Sequence, residues 1–163
     1  MTDEQQPESE LPEEEFEARI FTLADYAEAN HLNGKFYITG GGIANIWTAP
    51  VPGPLTPLYL AFRVRVPWRE TGEPFNCKIR VLNADRTPVG PDPLFSRDAE
   101  MGRPPGFRPG DELAFNGALA LAGFPLKSYG TIYFHLEMNG KTVAVHPLKI
   151  EPLSEAPLRL RSS

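Results

Sequence analysis

Four stretches of this chain alternate apolar with polar or small side chains, residue by residue, and a period of two leaves little choice of secondary structure. Leu58, Leu60, Phe62, Val64 and Val66 alternate with Tyr59, Ala61, Arg63 and Arg65, and Phe75, Cys77, Ile79 and Val81 with Asn76, Lys78 and Arg80. Leu113, Phe115, Leu119 and Leu121 alternate with Ala114, Asn116, Ala118 and Ala120, and Ile132, Phe134, Leu136 and Met138 with Tyr133, His135 and Glu137. Successive side chains of a strand point to opposite faces, so each stretch reads as an antiparallel strand with one buried face.

Weaker signals fill in the rest. Arg19–Ala24 reads as a first strand, and Asn33-Gly34 as a two-residue hairpin turn into Lys35–Thr39, because both residues tolerate positive φ. Residues Ala24–Asn30 favour a helical turn as much as an extended strand, and that local choice stays open. Ile43–Thr48 continues the sheet before a crossing, Pro50–Pro57, whose prolines cannot donate ladder hydrogen bonds. Asn139-Gly140 is a second hairpin signal, leading into Thr142–Ile150. Seven to eight short strands with prolines in the connections predict an all-β, antiparallel β-sandwich.

Charge is unevenly divided. The net charge is −5, yet residues 2–17 hold eight acids and no base, so the remainder carries all 16 bases and only the other 13 of the 21 acids. A segment of repelling charges with Pro7 and Pro12 and no apolar periodicity cannot offset the entropy of ordering. Residues 1–18 are therefore expected to form a disordered acidic arm, solubilising or masking, and 152–163 a flexible tail. One domain, 19–151, lies between them. The single cysteine, Cys77, excludes an intramolecular disulfide, and the acidic start lacks a secretory pattern, so a cytoplasmic setting is expected. No apolar run approaches the ~20 residues of a transmembrane helix.

One order of features is familiar: Ala24-Asp25-Tyr26-Ala27, then Gly34-Lys35-Phe36-Tyr37-Ile38, then Gly40-Gly41-Gly42 with Ile46-Trp47. A proline-rich crossing, a strand closing on Val66-Pro67-Trp68, and Gly130-Thr131-Ile132-Tyr133-Phe134 before a two-residue turn complete it. This order resembles a family of small uncharacterised bacterial β-sandwich domains of immunoglobulin-like appearance, a domain of unknown function. The resemblance covers roughly residues 19–150. It implies an immunoglobulin-like fold and carries no functional residue across.

Function has to be sought in constellations. Across the Asn33-Gly34 turn, Asp25 faces Gly42, so Asp25 is expected to accept the amides of Gly40, Gly41 and Gly42 or to pair with Lys35, a structural role. A phosphate nest at these glycines is disfavoured, because a strand and not a helix follows them. If the strands on either side of Pro67–Pro74 pair, Arg63 opposes Lys78, and Arg65 and Arg80 share the same outward face. That face would suit an acidic partner or the acidic arm, whereas nucleic acid is disfavoured by the net charge and the lack of interleaved aromatics. The long segment Thr87–Asp111, with Phe95, Arg97, Met101, Arg103, Phe107 and Arg108, reads equally as a lid or a protein contact. The small face Ala114, Ala118, Ala120 either lies beneath it or admits another chain.

Across the Asn139-Gly140 turn, Tyr133 opposes His146 and His135 opposes Ala144, with Glu137 nearby. That spacing is marginal for zinc, and no metal or cofactor is expected. Ser96 and Ser128 lack a Gly-x-Ser-x-Gly setting and Cys77 points to the core, so no catalytic residue is assigned. The expected role is a non-catalytic protein-binding or assembly module, with a protein partner or self-association. The alternative is a small-ligand or metal-binding protein, or an enzyme, using Tyr133, His135 and His146.

Overall fold

The computed structural model describes residues 15–48 and 50–157. They form eleven strands and two single-turn 3-10 helices, with no α-helix among the described residues. The strands are β1 (Glu17–Ala29), β2 (Phe36–Gly41), β3 (Asn45–Thr48), β4 (Gly53–Pro54), β5 (Tyr59–Val66), β6 (Pro74–Asn83), β7 (Phe95–Glu100), β8 (Leu113–Ala120), β9 (Pro125–Leu126), β10 (Gly130–Met138) and β11 (Lys141–Pro152). Seven to eight were expected. The excess comes from the two-residue ribbon β4–β9, which carries no alternation to read, and from β7 inside the long segment. The open choice at Ala24–Asn30 falls to strand, because pairing with β2 satisfies its backbone. Most of the expected arm and half of the expected tail lie outside the described residues. Phe16 packs its ring 5.3 Å from that of Phe75, and a 3-10 turn, Leu153–Glu155, follows β11. No helix of the described residues is long and apolar enough to cross a membrane.

The strands build two main sheets. One is antiparallel, in the order β2-β1-β5-β8; the other is mixed, in the order β3-β11-β10-β6-β7, with β3 parallel to β11. The alternating apolar faces meet between them. Leu23, Leu60, Val64 and Val66 of one sheet share a core with Phe75, Cys77, Ile79, Phe134, Leu136 and Met138 of the other, each 2% exposed or less. Phe115 of β8 meets Phe75 of β6 edge-on at 5.4 Å across the gap. Truncating such a side chain leaves a cavity worth ~3–5 kcal/mol. Burial pushes the Cys77 thiol up to about 12, which leaves it unreactive packing material.

β5 and β6 do not pair as expected; they stand in different sheets. The turn Trp68–Glu70 carries the chain across, and each apolar face buries against the other instead of sharing one side of a ladder. Arg63 consequently opposes Ile20 and Asn116, and Arg65 opposes Glu17 and Ala114. Lys78 opposes Ser96 and Glu137, and Arg80 opposes His135. The predicted ladder of like charges does not form.

The segment 87–111 is no irregular loop either. β7 pairs with β6, placing Phe95 opposite Ile79 and Ala99 opposite Phe75. Beyond it the Arg103 guanidinium lies 3.8 Å over the Trp68 ring, and its Nε donates to Thr71 Oγ1 at 3.0 Å. Its Nη2 reaches the carbonyls of Trp68 and Thr71, and Phe107 stacks 5.2 Å from Trp68. These contacts tie the end of the segment to the turn that holds Trp68 and Thr71.

The two Asn-Gly pairs turn differently. Asn139 and Gly140 both take positive φ, +48° and +80°, as a two-residue type I′ turn requires. At the other hairpin only Gly34 does, at +69°, and the Asn30 amide donates to the Lys35 carbonyl across a four-residue loop. Asn30 Oδ1 accepts the amides of Leu32 and Asn33, which sets this wider turn and moves the β1–β2 register by two residues.

Candidate functional site

The β1–β2 hairpin bends at Asp25 and Gly40. Gly40 has φ +64°, and the Asp25 side chain fills the space a Cβ would need, so only glycine fits there. The expected tie from Asp25 to the amides of Gly40, Gly41 and Gly42 or to Lys35 is absent among the described residues. Thr22 takes that role, its Oγ1 accepting the Gly42 amide at 2.9 Å, while Asp25 is exposed. The two-residue register shift, which sets Ala24 opposite Gly41, is the cause.

Past the bend the hairpin reaches back over the outer face of its own sheet. His31 from its loop lines a cavity of about 100 Å³ with Asn116–Leu119 of β8, although β5 separates β1 from β8 in the sheet. Ala24 and Ala61, on that outer face by register, have no exposure, and Ala61 stands between Thr22 and Ala118. The small side chains thus admit part of the same chain at close range.

Among the polar residues that the hairpin shows to solvent, such as Glu28, His31, Asn33 and Lys35, stand three large apolar or aromatic side chains. Tyr26 is 44% exposed, Tyr37 47% and Leu32 fully, and these are three of the six large apolar side chains so exposed among the described residues. The Tyr26 hydroxyl donates to Glu28 at 2.9 Å, a bond to the charged carboxylate that pushes the phenol pKa up. Its ring meets Tyr59 edge-on at 5.1 Å. Among the described residues β2 pairs on one side only. Sequence reasoning did not single out these tyrosines as a surface. A signal existed: Phe36 and Ile38 alternate with Tyr37 and Thr39 in a strand without charge or proline.

The outer face of the five-stranded sheet holds a polar group of a different kind. Arg80 clasps Asp92 with Nε and Nη2 at 2.8 and 2.9 Å, which pushes the arginine pKa up and the Asp92 pKa down. Glu137 lies 3.8 Å from the same guanidinium. Burial lowers the pKa of His135, opposed by Glu137 and reinforced by Arg86 and Arg80. His146 does not join them. A bulge at Val143 shifts the register by one, so His146 opposes Phe134 rather than Tyr133, and His135 opposes Val145 rather than Ala144. A one-residue slip moves a side chain to the other face. His146 Nε2 accordingly lies 2.7 Å from the Ile43 carbonyl.

The remaining predicted site residues scatter. Arg63 reaches Asn116 at 3.3 Å and Arg65 pairs with Glu17 at 3.2 Å on one sheet, while Lys78 and Arg80 stand on the other. Phe95 and Met101 pack on the core, and Arg103 and Phe107 clasp Trp68. Arg97 and Arg108 are exposed. Among the described residues no three His, Cys, Asp or Glu side chains stand close enough to hold a metal ion. Among the described residues, the walls of a cleft of about 340 Å³ beside Trp47, Val51, Leu55 and the crossing prolines carry no titratable side chain.

A comparison with curated proteins finds no match. The sequence does match one family model over residues 19–151, the two sheets and their connections, and the chain belongs to that family, DUF6941, a family of unknown function.

Proposed function

We propose that this chain is a non-catalytic protein-binding or assembly module, carried on an immunoglobulin-like sandwich, whose contact surface is the β1–β2 hairpin. The observation that carries the reading is the concentration of Tyr26, Tyr37 and Leu32 on one hairpin whose outer strand, among the described residues, is paired on one side only. Exposed tyrosines supply large contact area at low entropic cost, and an open strand edge supplies backbone hydrogen bonds. The immunoglobulin-like part is supported by chain order. β1, β5 and β8 lie side by side in one sheet, with β6, β10 and β11 in the other, as strands A, B, E and C, F, G do in such sandwiches. A reducing cytoplasm suits the lone buried Cys77.

The test is site-directed photo-crosslinking in the native cell, with a benzophenone amino acid in place of Tyr37 or, as control, Tyr129, which is 40% exposed elsewhere. Adducts specific to position 37 are expected. Equal labelling at both positions, or none at 37, would remove the hairpin as the contact surface. The alternative reading on Tyr133, His135 and His146 has less support, since the bulge puts the two histidines on opposite faces of the sheet.

A further inference from the structure

The two sheets end in four strand edges, and three are guarded. β7 carries Arg97, Asp98 and Glu100. β3 is four residues long and is followed by Pro50 and Pro52. The edge of β8 faces Phe95 and Arg97 across the small cavity that His31 also lines. Charge, shortness, proline and cover are the usual protections against strand addition. Among the described residues β2 has none of them: Phe36-Tyr37-Ile38-Thr39-Gly40-Gly41 is uncharged, lacks proline and pairs only with β1.

We propose that β2 pairs antiparallel with β2 of a second copy of this chain, about a two-fold axis at Ile38, joining two four-stranded sheets into one of eight. This rests on the reading of the hairpin as the contact surface and names its partner. A strand added here must present alternating side chains that fit Phe36 and Ile38 on one face and Tyr37 and Thr39 on the other. β2 itself does so. About Ile38, each Tyr37 stands opposite the partner's Thr39 and each Phe36 opposite the partner's Gly40, large against small, and the nearest cation, Lys35, meets Gly41. A charge near the two-fold axis would lie close to its own copy, so an edge uncharged around Ile38 brings no like-charge pair when it closes on itself. β2 ends at Gly41, so the pairing spans only a few residues. The contact is accordingly small, and its dissociation constant is on the order of 100 µM.

Sedimentation velocity of the full chain up to about 500 µM tests this, since a dimer of that strength is then well populated. The variant Tyr37→Lys/Thr39→Lys places lysine opposite lysine across the axis, and Tyr37→Glu/Thr39→Glu places glutamate opposite glutamate. Each alone should self-associate at least about tenfold more weakly, and an equimolar mixture should recover a heterodimer. Both positions are exposed, so the urea midpoints of the variants should match the unmodified chain. If a variant fails to fold, the unmodified chain still decides the matter: amide exchange in residues 36–39 should slow with rising protein concentration. A chain monomeric throughout, exchange independent of concentration, or a lysine variant that associates like the unmodified chain overturns the pairing. Crosslinks from position 37 to another protein alone also overturn it, while leaving the binding reading intact.

Discussion

The same dipeptide closes two hairpins in this protein and produces two different kinds of structure. At Asn139-Gly140 the turn is tied down: the Asn139 amide donates to the Asn76 carbonyl and its Oδ1 accepts the Asn76 amide, so β10–β11 is locked to β6. The strands beyond it carry Phe134, Leu136 and Leu148, none of them exposed. At Asn33-Gly34 the loop's hydrogen bonds among the described residues stay within residues 30–35, residues 31–35 are exposed, and the strands beyond it show tyrosines. A turn motif specifies that the chain reverses. What the reversed strands bury decides whether the hairpin is scaffold or surface.

The largest effect should separate the cores. Phe134→Ala should cost ~3–5 kcal/mol, whereas Tyr37→Ala should stay within ~0.5 kcal/mol, both read from urea unfolding. Similar losses at the two sites would break the contrast. The turns come next. Asn139→Ala gives up both a left-handed residue and the bond to β6 and should cost ~1–2 kcal/mol. Asn33→Ala, which removes one exposed bond to the Lys35 amide, should cost less than ~0.5 kcal/mol. Asn30→Ala, which strands two amides, should exceed it at ~1 kcal/mol. If Asn33 proves the more costly of these two, the four-residue loop is wrong.

The smallest expected effect is a pH slope at the buried end of the comparison. Burial lowers the His135 pKa below its ordinary 6.5, so the unfolded chain takes up the proton first as pH falls. Stability should therefore be flat above pH 6.5 and decline below it until the folded-state pKa is reached. His135→Gln should flatten that interval in melting curves. The Asp92 and Glu15 carboxylates, lowered by Arg80 and Lys141, contribute above their unfolded pKa and lose that contribution only as pH falls through their folded-state values, a more acidic window. An unchanged slope in the glutamine variant would remove His135 as its source.

Much of the scaffold was legible in the sequence. Leu60, Val64, Phe75, Ile79, Phe134 and Leu136 all lie in the core that period two assigned them. The candidate site was far less legible, for three local reasons. Pairing β5 with β6 followed from their adjacency, but apolar faces on neighbouring strands are satisfied equally well by facing sheets. The histidine face assumed an unbroken ladder, and Val143 inserts one residue that no composition signal marks. Asp25 was placed from a turn type that Asn30, three residues before Asn33, overrode with its own side chain.

The sequence by itself determined four alternating strands, which of their faces are apolar, and that Asn139-Gly140 reverses the chain, because these follow from local geometry and a two-residue period. Only the tertiary structure decided which strands are neighbours, that Arg63 and Lys78 stand on different sheets, and that Tyr26 and Tyr37 remain outside. Those outcomes depend on how two sheets compete for the same buried area, a long-range choice that no short stretch of the chain encodes. Family membership over residues 19–151 agrees with the extent of that packed unit.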